Sequence, residues 1–316
     1  MAVAPISVSP RTYRHITRVA LIALVFIVVS GGAVRLTGSG LGCTDWPNCS
    51  PGSLTPVSAG DLHAMVEFVN RLVTGLVSVA VIVAVLGSLR RSPRRRDLTV
   101  LSLGLVAGVI GQIVLGGITV LVELSPPFVM GHFLLSMVLI GNAMVLVHRA
   151  EEDEGPRVPV VDAVTTMLGR LLLVAATLVL FTGTVVTAAG PHAGDADVDR
   201  LNLDITEAAR LHGGSVIMLV AITLVLMRHL RRSGAPPSAN RAGELLLLVL
   251  VAQAGIGYTQ YFNGVPALLV GFHLLGASLV WLASLHLTLK FSRPAIHPGT
   301  RVPPLTPAVR GSNMQS

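Results

Sequence analysis

Four of the ten histidines are placed differently from the rest. His63, His132, His212 and His273 each fall near the start of a long apolar run. His15, His148, His229, His286 and His297 fall at the opposite ends of such runs or in the tails, and His192 falls in a loop. These six read as interfacial or solvated side chains. An ionisable group at membrane depth is costly and faces a cavity, a partner or a cofactor. A neutral imidazole nitrogen binds iron, and two imidazoles facing each other from neighbouring helices suit a flat macrocycle such as haem. The glycines of His212-Gly213-Gly214, and Gly271 near His273, leave room for such a plane. Zinc fits less well, because no Cys or carboxylate joins each pair to complete a tetrahedral site.

A second group lies in one short stretch. His63, Glu67 and Asn70 recur at i, i+4 and i+7, on one helix face, with Arg71 adjoining. The stretch reads either as an Arg–Glu pair at a helix end or as a site where Glu67 acts on substrate while an imidazole reaches a metal. Cys43 and Cys49 lie in Gly42-Cys43-Thr44-Asp45-Trp46-Pro47-Asn48-Cys49. On an oxidising side of a membrane a disulfide is the default for so close a pair, structural or redox-active alike.

The elements that must position these groups follow from composition. Of the 316 residues 52% are hydrophobic and 12% charged, about half the roughly 25% usual in soluble proteins. Mean hydropathy is +0.73. Such a chain cannot cover its surface with charge, so lipid is the expected solvent. The net charge of +7 does not indicate nucleic acid, because the basic residues sit in short clusters between apolar runs. Two cysteines exclude a disulfide-rich scaffold and a four-cysteine metal site.

A span needs about 20 apolar residues, and eight runs qualify: Thr17–Leu36, Leu62–Leu89, Leu98–Val122, Phe128–Val147, Leu168–Ala189, Ile205–Met227, Gly243–Phe262 and Pro266–Leu289. The last two are separated by a tight Asn263-Gly264-Val265-Pro266 turn. Basic clusters at Arg11–Arg18, Arg90–Arg96, Arg149–Arg170, Arg228–Arg241 and Lys290–Arg310 alternate with the spans, placing 19 of 23 Lys and Arg on one side. The positive-inside rule then predicts a multi-pass protein of the cell membrane with both termini cytoplasmic. A cleaved signal peptide over the first run is the alternative.

The chain also repeats. Gln112-Ile113-Val114-Leu115-Gly116 lies twenty residues before His132, and Gln253-Ala254-Gly255-Ile256-Gly257 lies the same distance before His273. Gly32-Ala33-Val34-Arg35-Leu36-Thr37 matches Gly183-Thr184-Val185-Val186-Thr187 less closely. The expected fold is an all-α integral membrane protein whose eight helices form two repeated four-helix bundles, residues 1–150 and 151–316. The repeat gives the first span a counterpart, which speaks against cleavage. It also sets Asn70 and His132 in the first half beside His212 and His273 in the second.

Gly31-Gly32-Ala33-Val34-Arg35-Leu36-Thr37-Gly38-Ser39-Gly40-Leu41, the Cys43–Cys49 loop with Trp46-Pro47, and Glu67-Phe68-Val69-Asn70-Arg71 together resemble the haem A synthase family. The likeness extends through His132, His212 and His273, and the cysteine-loop form is similar to that of high-GC Gram-positive bacteria. The resemblance implies a haem b cofactor between His212 and His273. It also implies haem O as substrate in the first half, with one porphyrin methyl oxidised through successive hydroxylations to the formyl of haem A, for cytochrome c oxidase. It maps the family's acidic residue onto Glu67 and its first-half iron ligand onto His132. Haem O synthase and an electron donor are the implied partners. The family pattern Glu-x-x-His-Arg is broken here, with Asn70 in the His place. Either His63 replaces that ligand or His132 acts alone. Two rival readings are a b-type cytochrome carrying electrons from quinol, which leaves Glu67 unexplained, and a disulfide–quinone oxidoreductase, which lacks a second thiol pair.

Overall fold

A computed structural model of the chain describes residues 7–295. Eight long helices run α1 (Pro10–Leu36), α2 (Leu62–Arg90), α3 (Arg96–Leu121), α4 (Pro126–Glu151), α5 (Ala163–Ala189), α6 (Ile205–Arg232), α7 (Pro237–Phe262) and α8 (Ala267–Leu289). Each is long and apolar enough to cross a membrane, so the protein is a multi-pass membrane protein. In hydrocarbon the backbone must satisfy its own hydrogen bonds, which a helix does within one segment. Several helices extend beyond the expected spans. α1 begins at Pro10 rather than Thr17, and α5 at Ala163 rather than Leu168. Hydropathy marks the part inside lipid, whereas the helix continues until a side chain caps it. Ser9 accepts from the Thr12 N–H, and Asp162 accepts from the Thr165 N–H at 2.6 Å. That N–H holds the Asp162 carboxyl below the usual carboxylate range.

The packing order explains the repeat. α1 packs on α2 and α4, and α3 packs on the same two, so α2 and α4 stand diagonally across a four-helix ring. α5 to α8 repeat the arrangement, with α6 and α8 on the diagonal. Each ring has its own apolar centre, the first around Leu24, Leu105 and Ile140, the second around Leu172, Leu219 and Leu246. α1 supplies Tyr13, Leu24 and Val28 to the first centre and behaves as a full span.

The halves meet where α8 packs on α1 and α4, and α4 on α5. The Trp281 indole N–H donates to the Met137 carbonyl at 2.9 Å across this seam. A Cβ on Gly141 would lie 3.3 Å from that indole nitrogen, and one on Gly32 would overlap the Leu274 side chain. A Cβ on Gly271 would stand 3.5 Å from the Leu36 side chain of the first half.

Both ends of the bundle are tied. At the linker end, β1 (Arg157–Pro159) pairs antiparallel with β2 (Ser292–Pro294), joining the inter-half connection to the segment after α8. Arg157 bonds Glu152, and His148 lies buried 3.3 Å from the same carboxylate. Arg18 pairs with Glu151 at 2.6 Å and His229 with Asp162 at 3.0 Å. At the other end the Gly40 N–H donates to the Gly194 carbonyl, and His192 Nε2 donates to the Val265 carbonyl, both at 2.9 Å. His148 and His192 are therefore structural ties rather than solvated side chains, while His229 keeps an interfacial, partly exposed place beside Asp162. The backbone carbonyls and carboxylates left at helix ends are what they satisfy. His297, Arg301 and Arg310 lie outside the described residues.

The seam yields a paired test. Gly32→Val forces Leu274 aside and is expected to cost about 1–3 kcal/mol, seen as a lower Tm in detergent. A Cβ on Gly75 meets nothing within 4 Å, so Gly75→Val should leave Tm nearly unchanged. Equal effects would mean that the seam does not depend on that close approach.

Candidate functional site

The second bundle brings two imidazoles together across its axis. His212 on α6 and His273 on α8 lie across the diagonal with ring centroids 6.4 Å apart and planes at 71°. A metal–nitrogen bond of about 2 Å from each imidazole places the two centroids about 6 Å apart, so this separation suits one metal ion between them. Thr182 orients His212. Its hydroxyl donates to the Leu178 carbonyl at 2.9 Å, so its oxygen is left to accept from His212 Nδ1–H at 3.1 Å. That tautomer presents the Nε2 lone pair. Ser215 supports the same turn by donating to the His212 carbonyl at 2.7 Å. On α8 the Gln253 amide donates to the His273 carbonyl at 2.8 Å, and the buried His273 Nδ1 has no partner among the described residues. No group of three or more His, Cys, Asp or Glu among the described residues could cage a metal ion. Two axial imidazoles are the donor set of a metal whose other four ligands come from a macrocycle. The residues thus fit a haem.

The first bundle repeats this frame with one change. Gln112 donates to the His132 carbonyl at 3.1 Å, and the buried His132 Nδ1 is again unpartnered. Gly116 lies beside His132 as Gly257 lies beside His273, where an added Cβ would be 3.0 and 3.1 Å from the ring. On α2, Asn70 takes the place of His212. The Ser30 hydroxyl donates to Asn70 Oδ1 at 2.8 Å, whereas Thr182 accepts from His212 at the matching position, and Gly31 stands by Asn70 as Gly183 stands by His212. The α1–α5 match is therefore Ser30-Gly31 with Thr182-Gly183, one residue away from the register read from sequence. The hydroxyl–glycine pair was the available signal, and the longer Gly-rich run obscured it.

The Glu67 cluster is directed at the cysteine loop. Glu67 is 6% exposed; its Oε2 accepts the Cys43 N–H at 2.8 Å and its Oε1 accepts Arg71 at 2.7 Å. Arg71 also donates to the Asn48 carbonyl at 2.7 Å and to the Cys43 carbonyl at 3.1 Å. Cys43 and Cys49 form a disulfide, both buried against Ala64 and Phe68. Trp46 from the loop lies over Gly117 of α3, where no Cβ would fit. His63 shares the α2 face but is exposed, its Nδ1 3.0 Å from the Ser39 hydroxyl. His63, Glu67 and Asn70 thus have three different sets of neighbours.

These features define a class, an eight-span membrane protein of two repeated four-helix bundles with two histidines brought together across one of them. The family model described as COX15-CtaA, cytochrome oxidase assembly protein, matches residues 14–196. The chain belongs to this family. It is 24% identical over 283 residues to the heme A synthase of Halalkalibacterium halodurans, covering 86% of this chain and 94% of the relative. The heme A synthase of Shouchella clausii is 25% identical over 289 residues with the same shares. That of Lysinibacillus sphaericus is 30% identical over 128 residues, 40% of this chain and 41% of its own.

The loop's anchoring can be measured. Cys43 and Cys49 should resist thiol reagents until reduced. Arg71→Ala strips Glu67 of its ion pair and the loop of three carbonyl contacts, at Cys43, Pro47 and Asn48, and is expected to speed reduction about tenfold by opening the loop locally. Unchanged reduction kinetics would show that the disulfide loop holds its place without this anchor.

Proposed function

We propose that the chain is a haem A synthase, an oxidoreductase that converts a porphyrin methyl group of haem O to the formyl group of haem A for cytochrome oxidase assembly. The observation that carries this reading is the inequality of two otherwise matching sites. The second half faces two imidazoles, and in the first Asn70 takes the position that matches His212. An electron carrier has no use for that difference, whereas an enzyme needs one site that holds a resident group and one that admits a substrate. Membership in a cytochrome oxidase assembly family and similarity to heme A synthases along most of the chain support it.

On this reading His212 and His273 hold a haem b, which supplies one-electron exchange when bound. Thr182 fixes the His212 tautomer, and Gly183 and Gly257 let both rings reach the bundle axis. His132 holds the substrate iron in the first half. Glu67 is the carboxylate that handles protons as the methyl is oxidised, and its bonds to Cys43 and Arg71 fix its position. The basic clusters assign the linker end to the cytoplasm and the disulfide loop to the outer side of the cell membrane. Haem O synthase and an electron donor are the partners this role requires.

His212→Ala or His273→Ala should each abolish the reduced b-type absorbance of the purified protein while leaving it inserted. Full low-spin haem in either variant would overturn the ligand assignment. Glu67→Gln keeps shape and removes charge. Haem A formation should fall by about 100-fold or more, with the second-half haem spectrum intact. Haem A made at the unaltered rate would reduce Glu67 to an anchor of the loop.

A further inference from the structure

Each helical hairpin sets one side chain of its second helix against a glycine of its first: Asn70 by Gly31, His132 by Gly116, His212 by Gly183 and His273 by Gly257. Three of these four side chains are imidazoles. The fourth is an amide whose Oδ1 accepts from the Ser30 hydroxyl at 2.8 Å, closer than the Ile27 carbonyl at 3.3 Å from the same hydroxyl. With its acceptor occupied, Asn70 has Nδ2 and its two hydrogens left, and Nδ2 has no partner among the described residues. An amide nitrogen has no lone pair to offer iron, whereas imidazole does. His63 is the other imidazole on α2. It lies seven residues earlier, about 10 Å along the axis, exposed and engaged by Ser39.

We infer that the first-half substrate haem is held by His132 alone. Asn70 leaves the opposite axial position open to a small ligand, water or a diatomic gas, and offers its Nδ2–H as hydrogen-bond donor to that ligand. This rests on the first half being the haem O site. One fold thus carries a saturated iron site and an open one, and a single position, Asn70 against His212, makes the difference. From matching positions, Thr182 in the second half accepts from an imidazole and Ser30 in the first donates to an amide.

The test uses the full-length protein in detergent with its second-half haem, titrated with haem O and examined by absorption, electron paramagnetic resonance and carbon monoxide binding. The second haem should be high-spin and bind one carbon monoxide, and His132→Ala should abolish its uptake. Asn70→His should turn it low-spin and weaken carbon monoxide binding about tenfold or more. An unchanged low-spin signal from the second half shows that this variant is folded. Asn70→Leu should keep the carbon monoxide adduct but raise its C–O stretching frequency, because the donor is gone. A low-spin second haem that becomes high-spin on His63→Ala would overturn the inference in favour of His63. An Asn70→Leu adduct with an unshifted stretch would remove the amide from the site. If no second haem binds, or binding ignores His132, the first-half substrate site itself fails and the inference fails with it.

Discussion

The arrangement depends on the close approach of a helix backbone to the edge of an imidazole, made three times, with a looser counterpart at the Asn70 amide. Wherever α1, α3, α5 or α7 passes its successor at the level of the site, it presents a glycine. A Cβ at Gly116, Gly183 or Gly257 would stand only 3.0 to 3.2 Å from an imidazole carbon. In lipid no hydrophobic effect presses helices together, so small residues that admit close van der Waals packing set the interhelical distance. The glycine lets the two helices of each hairpin close up. The side chain across from it then extends towards the axis, where the diagonal helix meets it. The 6.4 Å between His212 and His273 follows from that geometry on both sides of the second bundle.

The two bundles diverge above this shared frame. Only the first carries a disulfide loop, and its attachment is a buried ion pair rather than an apolar patch alone. Removing a carboxylate and a guanidinium from water costs several kcal/mol per ion unless hydrogen bonds replace the lost hydration. Here Glu67 and Arg71 bond each other and use their remaining capacity on the loop backbone at Cys43 and Asn48. The loop in turn places Trp46 on Gly117, one residue from the glycine that borders His132. A charge pair on α2 thus reaches the edge of the first site through a covalently closed loop.

Much of this was legible in the chain. Apolar run length marked all eight helices, because lipid admits few other structures and the signal is therefore strong. The twenty-residue spacing from Gln112 to His132 and from Gln253 to His273 marked the repeat, and both glutamines prove to bond the carbonyls of those histidines. The register of α1 against α5 was less legible. A glycine-rich run offers several equivalent alignments, and only the hydroxyl bonds of Ser30 and Thr182 separate them. His148 and His192 were hidden for a different reason. A histidine at a helix end or in a loop has the same sequence context whether water or a buried acceptor meets it, and the acceptors come from residues 4 and 73 positions away.

The pairing of β1 with β2 has a bearing on how the molecule is made. β1 belongs to the connection emerging after four helices, but its partner strand is not synthesised until four more have followed. At about 5–20 residues per second, the connection waits unpaired for roughly ten seconds while the second bundle enters the bilayer. The clasp therefore forms last. A chain whose translation stops in α8 beyond His273 carries every imidazole of both sites yet lacks the strand that closes the linker end of the bundle.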